Sequence, residues 1–259
     1  MYTKLLNNLE TLKLDRMRSY LPAYLDTAVK DGVPLVDAMV HLTEQEIAYK
    51  DRIAAKMQIS MAGFPFHKTL EDYDFAFQSC IKKSEIADLA SLRFMENKQN
   101  IIFYGTPGVG KTHLATAIGI EAANKRYQTY FISCNDLIQN LKKAHGENRL
   151  EARLKNYTRY RLLVIDEIGY LPIDSLGANL FFQLIAKRYE KNSTIITTNQ
   201  PFSKWGKVFQ DSVIANAILD RLLHHAHVVK MVGPSYRTKD VYESVKEQQP
   251  ENRGAESSV

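Results

Sequence analysis

Eight consecutive residues, Gly105-Thr106-Pro107-Gly108-Val109-Gly110-Lys111-Thr112, fit the pattern G-x-x-x-x-G-K-[ST] at every fixed position. The pattern restricts the fold because it works only between a strand and a helix. Upstream, Ile101-Ile102-Phe103-Tyr104 is a short apolar run suited to a buried strand. Downstream, Leu114, Ala117, Ile118 and Ala122 recur at helical spacing and predict a helix over 113–123. The glycines let successive backbone N–H groups turn inward around a phosphate, and the helix N-terminus adds its partial positive charge. Lys111 can then reach the β- and γ-phosphates, and the Thr112 hydroxyl can ligate Mg²⁺. The octapeptide and its flanks predict a nucleoside triphosphate site on an α/β fold.

The same alternation continues along the chain. Residues 129–133, 161–167, 193–199 and 228–232 are short β-branched or apolar runs that predict further strands. Between them, 134–161 has room for two helices, and 175–189 and 213–223 read as one helix each. Strands alternating with helices mean βαβ units, hence a P-loop sandwich built on a parallel sheet. The continuous apolar run Leu162-Leu163-Val164-Ile165 suits a sheet covered on both faces. Ahead of this region, a helix is predicted over 81–96.

Residues 1–59 read as helices. Leu5, Leu6, Leu9, Leu12 and Leu14 stripe the first, Gly32-Val33-Pro34 breaks the pattern, and it resumes from Leu35 to Ile59, with Leu42-Thr43-Glu44-Gln45-Glu46 offering a helix start. Gly63-Phe64-Pro65-Phe66 forms a joint. The expected organisation is a helical N-terminal domain over 1–62, a nucleotide-binding domain over 63–245, and a polar, disordered tail over 246–259. The N-terminal part has no nucleotide chemistry, and suits contact with a partner or DNA as well as a plain scaffold role.

No apolar run is long enough to span a membrane, and the first residues lack the apolar stretch of a signal peptide. Cys80 and Cys134 stand alone, which suits a reducing compartment and excludes a disulfide framework or a zinc site. A cytoplasmic protein is expected. The net charge is +5, and the positive excess falls in the nucleotide-binding part. It is densest from Lys142 to Arg161, where Lys142, Lys143, Arg149, Arg153, Lys155, Arg159 and Arg161 face only Glu147 and Glu151. Such a stretch attracts phosphate backbones, and an ordinary solvated helix face has the same composition.

Asp166 and Glu167 end the third strand, at the sheet edge where the P-loop opens. The first acid can hold Mg²⁺, and the second can polarise an attacking water. Asn199, at the tip of the fourth strand, can orient that water or read the γ-phosphate; the alternative is an Asx turn ahead of Pro201. Arg221 is a suitable donor to phosphoryl charge from its own or a neighbouring subunit, or simply a partner of Asp220 or of a helix end. A distant Arg and a Glu following the metal-binding Asp favour water as nucleophile over the substrate of a small-molecule kinase. A GTPase is disfavoured because Asn97-Lys98-Gln99-Asn100 fails N-K-x-D at its last position.

Taken in order, the P-loop, Leu162-Leu163-Val164-Ile165-Asp166-Glu167-Ile168-Gly169-Tyr170-Leu171-Pro172, Thr197-Thr198-Asn199-Gln200-Pro201-Phe202-Ser203-Lys204-Trp205, Ile218-Leu219-Asp220-Arg221-Leu222 and Gly233-Pro234-Ser235-Tyr236-Arg237 resemble the AAA+ ATPases of the IstB/DnaC group. The likeness is greatest to the IstB-like helpers of insertion-sequence transposition and covers roughly residues 1–245. Lys68-Thr69-Leu70-Glu71-Asp72-Tyr73-Asp74-Phe75 also resembles that family's lead-in to the nucleotide pocket.

The resemblance implies that Gly105 to Thr112, His113, Tyr73 and Arg237 contact ATP, with Arg237 as the second sensor. It implies that Thr112 and Asp166 serve Mg²⁺, that Glu167 is the catalytic base with Lys111 assisting, that Asn199 is the first sensor, and that Arg221 is an arginine finger for an adjacent subunit. It further implies a ring or helical homo-oligomer on duplex DNA, bound mostly without sequence specificity, and a partner transposase. The basic stretch falls where initiator and loader relatives carry a helical insertion facing DNA. A replicative helicase loader would share the same site. Only about 60 residues follow Asn199, too few for a full helical lid in addition to the Arg221 helix.

Overall fold

The computed structural model describes residues 1–239; the tail expected over 246–259 lies outside the described residues. The chain begins with three helices, α1 (Tyr2–Thr11), α2 (Asp15–Lys30) and α3 (Leu35–Met61). Leu9, Met17, Leu21 and Leu42 meet in a small core of their own. The buried Glu46 of α3 accepts the Met17 N–H at 2.8 Å, so one helix caps the N-terminus of another. The break at 32–34 is where α2 gives way to α3. The helix start expected at 42–46 is not used. The Thr43 hydroxyl instead donates back to the Met39 and Val40 carbonyls, and α3 runs through. At its end the Ala62 carbonyl accepts the Phe131 N–H at 2.7 Å, joining the helices to the sheet.

The helix predicted over 81–96 is two, α4 (Lys83–Ala90) and α5 (Arg93–Glu96). Leu92 between them takes a left-handed φ of 70° and buries its side chain, so packing overrides the helical pattern. The rest alternates as the sequence predicts: β1 (Asn100–Gly105), α6 (Lys111–Asn124), β2 (Thr129–Ser133), α7 (Cys134–Gly146), α8 (Leu150–Arg159), β3 (Leu162–Ile168), α9 (Ser175–Arg188), β4 (Ser193–Thr198), α10 (Trp205–Val208), α11 (Ser212–Leu223) and β5 (Ala226–Met231).

The five strands form one sheet in the order β2-β3-β4-β1-β5, and every pairing is parallel. Both faces are covered. Leu162 and Val164 enter the core shared with α4, α5 and α6, and Leu163 and Ile165 enter the core shared with α7, α9 and α11. That two-sided burial is why β3 reads as an unbroken apolar run. Among the described residues, no helix is long and apolar enough to cross a membrane.

One charged side chain lies inside this packing. Arg188, at the end of α9, is only 1% exposed. It donates to the Tyr157 and Tyr160 carbonyls at 2.8 Å, to the Thr194 hydroxyl at 3.1 Å, and to the Ser193 carbonyl. Burial pushes its guanidinium down to about 9, which leaves it charged at neutral pH. It pins the sheet edge at which the strands begin. At the opposite edge the strands end, and parallel pairing collects Gly105, Asp166, Glu167, Thr198 and Asn199 there.

Candidate functional site

The cleft at the strand ends encloses about 320 Å³ and is lined by Pro107 to His113, Tyr73, Glu167, Thr197, Thr198, Asn199 and Arg237. The P-loop lies against β5 so closely that a Cβ on Gly105 would come within 1.7 Å of the Met231 carbonyl oxygen. Gly110 (φ 90°) starts α6 in a left-handed conformation, and a Cβ there would meet the Tyr73 ring at 2.5 Å. Lys111 donates to the Gly105 and Thr106 carbonyls at 2.9 and 2.7 Å, which aims its ammonium into the curve of the loop. Burial lowers its pKa, and Arg237 acts in the same direction, while the charges of Asp166 and Glu167 oppose them.

The Thr112 hydroxyl donates to the two carboxylate oxygens of Asp166 at 2.9 and 3.1 Å. Asp166 is 6% exposed, and burial raises its pKa against the hydrogen bonds from Thr197 and Thr112. Glu167 is exposed and stands at a β-bulge. Ile165 pairs with Ile196 and Ile168 with Thr198, so Asp166 and Glu167 together oppose the single residue Thr197. Glu167 takes a φ of 61°, which re-aims its side chain to the cleft wall.

Two flanking segments hold the loop. From upstream, the Tyr73 hydroxyl donates to the Val109 carbonyl at 2.9 Å, and His113 Nε2 lies 2.8 Å from the Thr69 carbonyl. Burial pushes the Tyr73 phenol up, so it remains a donor. From downstream, the Tyr236 N–H donates to the Gly108 carbonyl at 2.9 Å. Gln78 Nε2 donates to the Pro234 carbonyl at 2.6 Å, and Lys239 pairs with Asp74 at 2.8 Å, which ties the two segments together. This arrangement delivers Arg237 to the cleft from the segment that follows β5. Sequence reasoning missed Gln78, Thr197 and the Asp74–Lys239 pair; the last joins residues too far apart in the chain for any spacing to reveal.

Arg221 does not line this cleft. It sits beside Asn100, Glu190 and Thr194, at the edge where the strands begin. There it donates to the Ala217 carbonyl at 2.9 Å and stacks over the Phe182 ring at 4.8 Å. Of the plain alternatives, the contact within the last turn of its helix is formed and an ion pair with Asp220 is not among those of the described residues. The basic stretch covers α7 and α8 and its residues differ. Lys142 pairs with Asp174 at 2.6 Å, and Arg149 pairs with Glu147. Arg161 lies over the Tyr127 ring at 6.0 Å. Lys143, Arg153, Lys155 and Arg159 are exposed and form no ion pair among the described residues, though the charges of Lys143 and Arg153 are felt at Glu147 and help lower its pKa. Arg153 and Arg159 also line a cavity of about 370 Å³ between α8, the end of α3 and the stacked Tyr130 and Tyr160.

The geometry agrees with what the chain is similar to. The family model described as IstB-like ATP binding protein matches residues 7–244. The ATP-binding protein of insertion sequence IS232 from Bacillus thuringiensis subsp. berliner is 55% identical over 92% of this chain and 96% of its own length. That of IS21 from Pseudomonas aeruginosa is 40% identical over 90% of this chain and 88% of its own length. Among solved structures, AMPPCP-bound DnaA from Aquifex aeolicus superposes with a TM-score of 0.53 at 23% identity, covering 74% of this chain and 58% of that one. DnaI superposes with a TM-score of 0.52 at 19% identity, covering 65% of this chain and 90% of that one. The structural likenesses show the fold alone, a P-loop sandwich on a parallel sheet, and the sequence likenesses show the family: the chain belongs to the IstB-like ATP-binding proteins of insertion sequences.

Proposed function

We propose that this protein is a Mg²⁺-dependent ATPase that assembles on duplex DNA and delivers that DNA to a partner transposase, which it stimulates. The reading rests above all on the cleft, where Lys111, Thr112, Glu167 and Asn199 converge, with Asp166 held against Thr112, while Arg221 stays at the opposite sheet edge. The P-loop amides and Lys111 bind the ATP phosphates, with Tyr73, His113 and Arg237 walling the site. The hydroxyl of Thr112 and the carboxylate of Asp166, 2.9 Å apart, are hard oxygen donors that fit Mg²⁺. Bound there, Mg²⁺ would neutralise phosphate charge. Glu167 takes the proton of the attacking water, and Asn199 orients that water. Arg221 supplies charge to the neighbouring subunit's phosphates, since it cannot reach its own cleft.

The DNA reading is supported by the exposed Lys143, Arg153, Lys155 and Arg159, which form no ion pair among the described residues. Contacts of that kind bind phosphate backbones without reading sequence. The transposase partner is proposed from the insertion-sequence context of the relatives.

The site is tested by Glu167→Gln, which keeps the shape and the bulge. ATP affinity should stay at the wild-type level while turnover falls by roughly 10²–10⁴, the range of a lost general base. Retained hydrolysis would remove Glu167 from its role. For the wider reading, the wild-type protein with ATP should bind long duplex DNA. Failure to bind it, together with tight binding to a replicative helicase, would sink the transposition reading.

A further inference from the structure

We infer that Thr197 is the positioning residue that sets Asp166 and Glu167 for their separate tasks. The inference rests on the hydrolytic reading of the cleft and adds a residue that neither the motif nor the family likeness supplies.

Thr197 lies on β4, 1% exposed, directly opposite the bulge of β3. A bulge leaves one residue of a ladder without its regular partner. Here the orphaned donor is the Glu167 N–H, and it donates to the Thr197 hydroxyl oxygen at 2.9 Å. The same hydroxyl donates its own proton to Asp166 Oδ1. One side-chain oxygen therefore replaces the missing ladder carbonyl and restrains the acid beside it.

The two hydroxyls on Asp166 are not equivalent. Thr112 faces the loop and becomes a Mg²⁺ ligand under the proposed reading, so its hydrogen bond to Asp166 is an exchangeable one. Thr197 is buried on β4 at the cleft floor and bonds Oδ1, so that Oδ2, which has the longer 3.1 Å contact with Thr112, is the oxygen left for a cation. An acid that is nearly buried and that must present one oxygen to a cation needs a fixed donor on the other side. Only a hydroxyl at this position accepts from an amide and donates to a carboxylate at once. Valine copies the shape and does neither.

The test compares Thr197→Val, Thr197→Ser and Glu167→Gln with the wild-type chain, using ATP binding with and without Mg²⁺ and steady-state hydrolysis. Thr197→Val should bind metal-free ATP as the wild type does. It should lose much of the gain in affinity that Mg²⁺ confers, and its kcat should fall roughly 10–100-fold with little change in KM. Thr197→Ser, which keeps the hydroxyl and loses the methyl group, should recover both properties. A valine variant with wild-type kcat and wild-type Mg²⁺ gain overturns the inference. So does a serine variant as impaired as the valine one, because packing of the methyl group would then be the cause. If Glu167→Gln hydrolyses ATP normally, the hydrolytic reading fails, and the Mg²⁺ gain alone decides the role of Thr197.

Discussion

Asp166 combines two demands that oppose each other. Its carboxylate is buried among apolar strands, yet the proposed chemistry needs it ionised. Burial raises its pKa from the ordinary 3.8. Between that value and the raised one the folded chain holds the proton more tightly than the unfolded chain. Stability is therefore lost as pH rises through the window, and regained as pH falls through it. Asp166→Asn removes the penalty. In the absence of ATP and Mg²⁺ it should raise the melting temperature at pH 7, by about 2–4 °C for each kcal/mol relieved. The gain should shrink near pH 4, and hydrolysis should be lost at both. Thermal unfolding at the two pH values decides it; no gain at pH 7 would mean that the Thr112 and Thr197 hydrogen bonds outweigh burial.

At this scale the sequence reveals the residues whose type is unusual for their place. A Gly-Lys-Thr after glycines and two acids ending an apolar strand stand out. Thr197 does not, because a threonine in Ser193-Thr194-Ile195-Ile196-Thr197-Thr198 is what β-strand packing favours anyway. Its task depends on a bulge in a different strand, and bulges leave no spacing signal.

Among elements, parallel pairing decides what meets. All five strands run the same way, so every loop that leaves a strand end opens on one edge. The other edge has to be closed by side chains. Arg188 does this with four acceptors that are all neutral, and no carboxylate among the described residues pairs with its charge. Arg188→Met would leave the Tyr157, Tyr160 and Ser193 carbonyls buried without a donor. At about 1–3 kcal/mol for each orphaned group, the loss should be about 3 kcal/mol or more. A urea titration should show the midpoint falling with an unchanged slope. An unshifted midpoint would mean that water replaces the guanidinium.

Strand positions were readable because periodicity and burial agree in a doubly covered sheet. Two helical details were not. The break at Leu92 is bought by tertiary burial, and the capping signal at 42–46 is spent on a back-bond inside a longer helix. In both places a local pattern lost to packing, the usual limit of local reading.

For the molecule as a whole, charge and assembly yield the remaining predictions. Arg153 and Arg159 flank one cavity at the junction of α8 with the N-terminal helices. Replacing both by Ala should weaken binding to duplexes of any sequence. The slope of log affinity against log salt should fall in magnitude by about 2. An unchanged slope would return the stretch to an ordinary solvated face. Arg221→Ala should bind ATP normally and fail to hydrolyse it. Mixed with Glu167→Gln it should recover part of the rate, since a defective arginine and a defective base then lie in different subunits. Absence of recovery would count against action on a neighbour.

If Arg221 completes a neighbour's site, as proposed, its position one sheet edge away from the cleft of its own chain has a kinetic consequence. A site finished by a neighbour does not exist in a solitary molecule, so dilution should silence the enzyme before it unfolds it. In an open array, the last subunit at one end would carry ATP that nobody completes. Specific activity would then rise with array length and level off, which makes the rate of phosphate release a ruler for how many copies stand side by side.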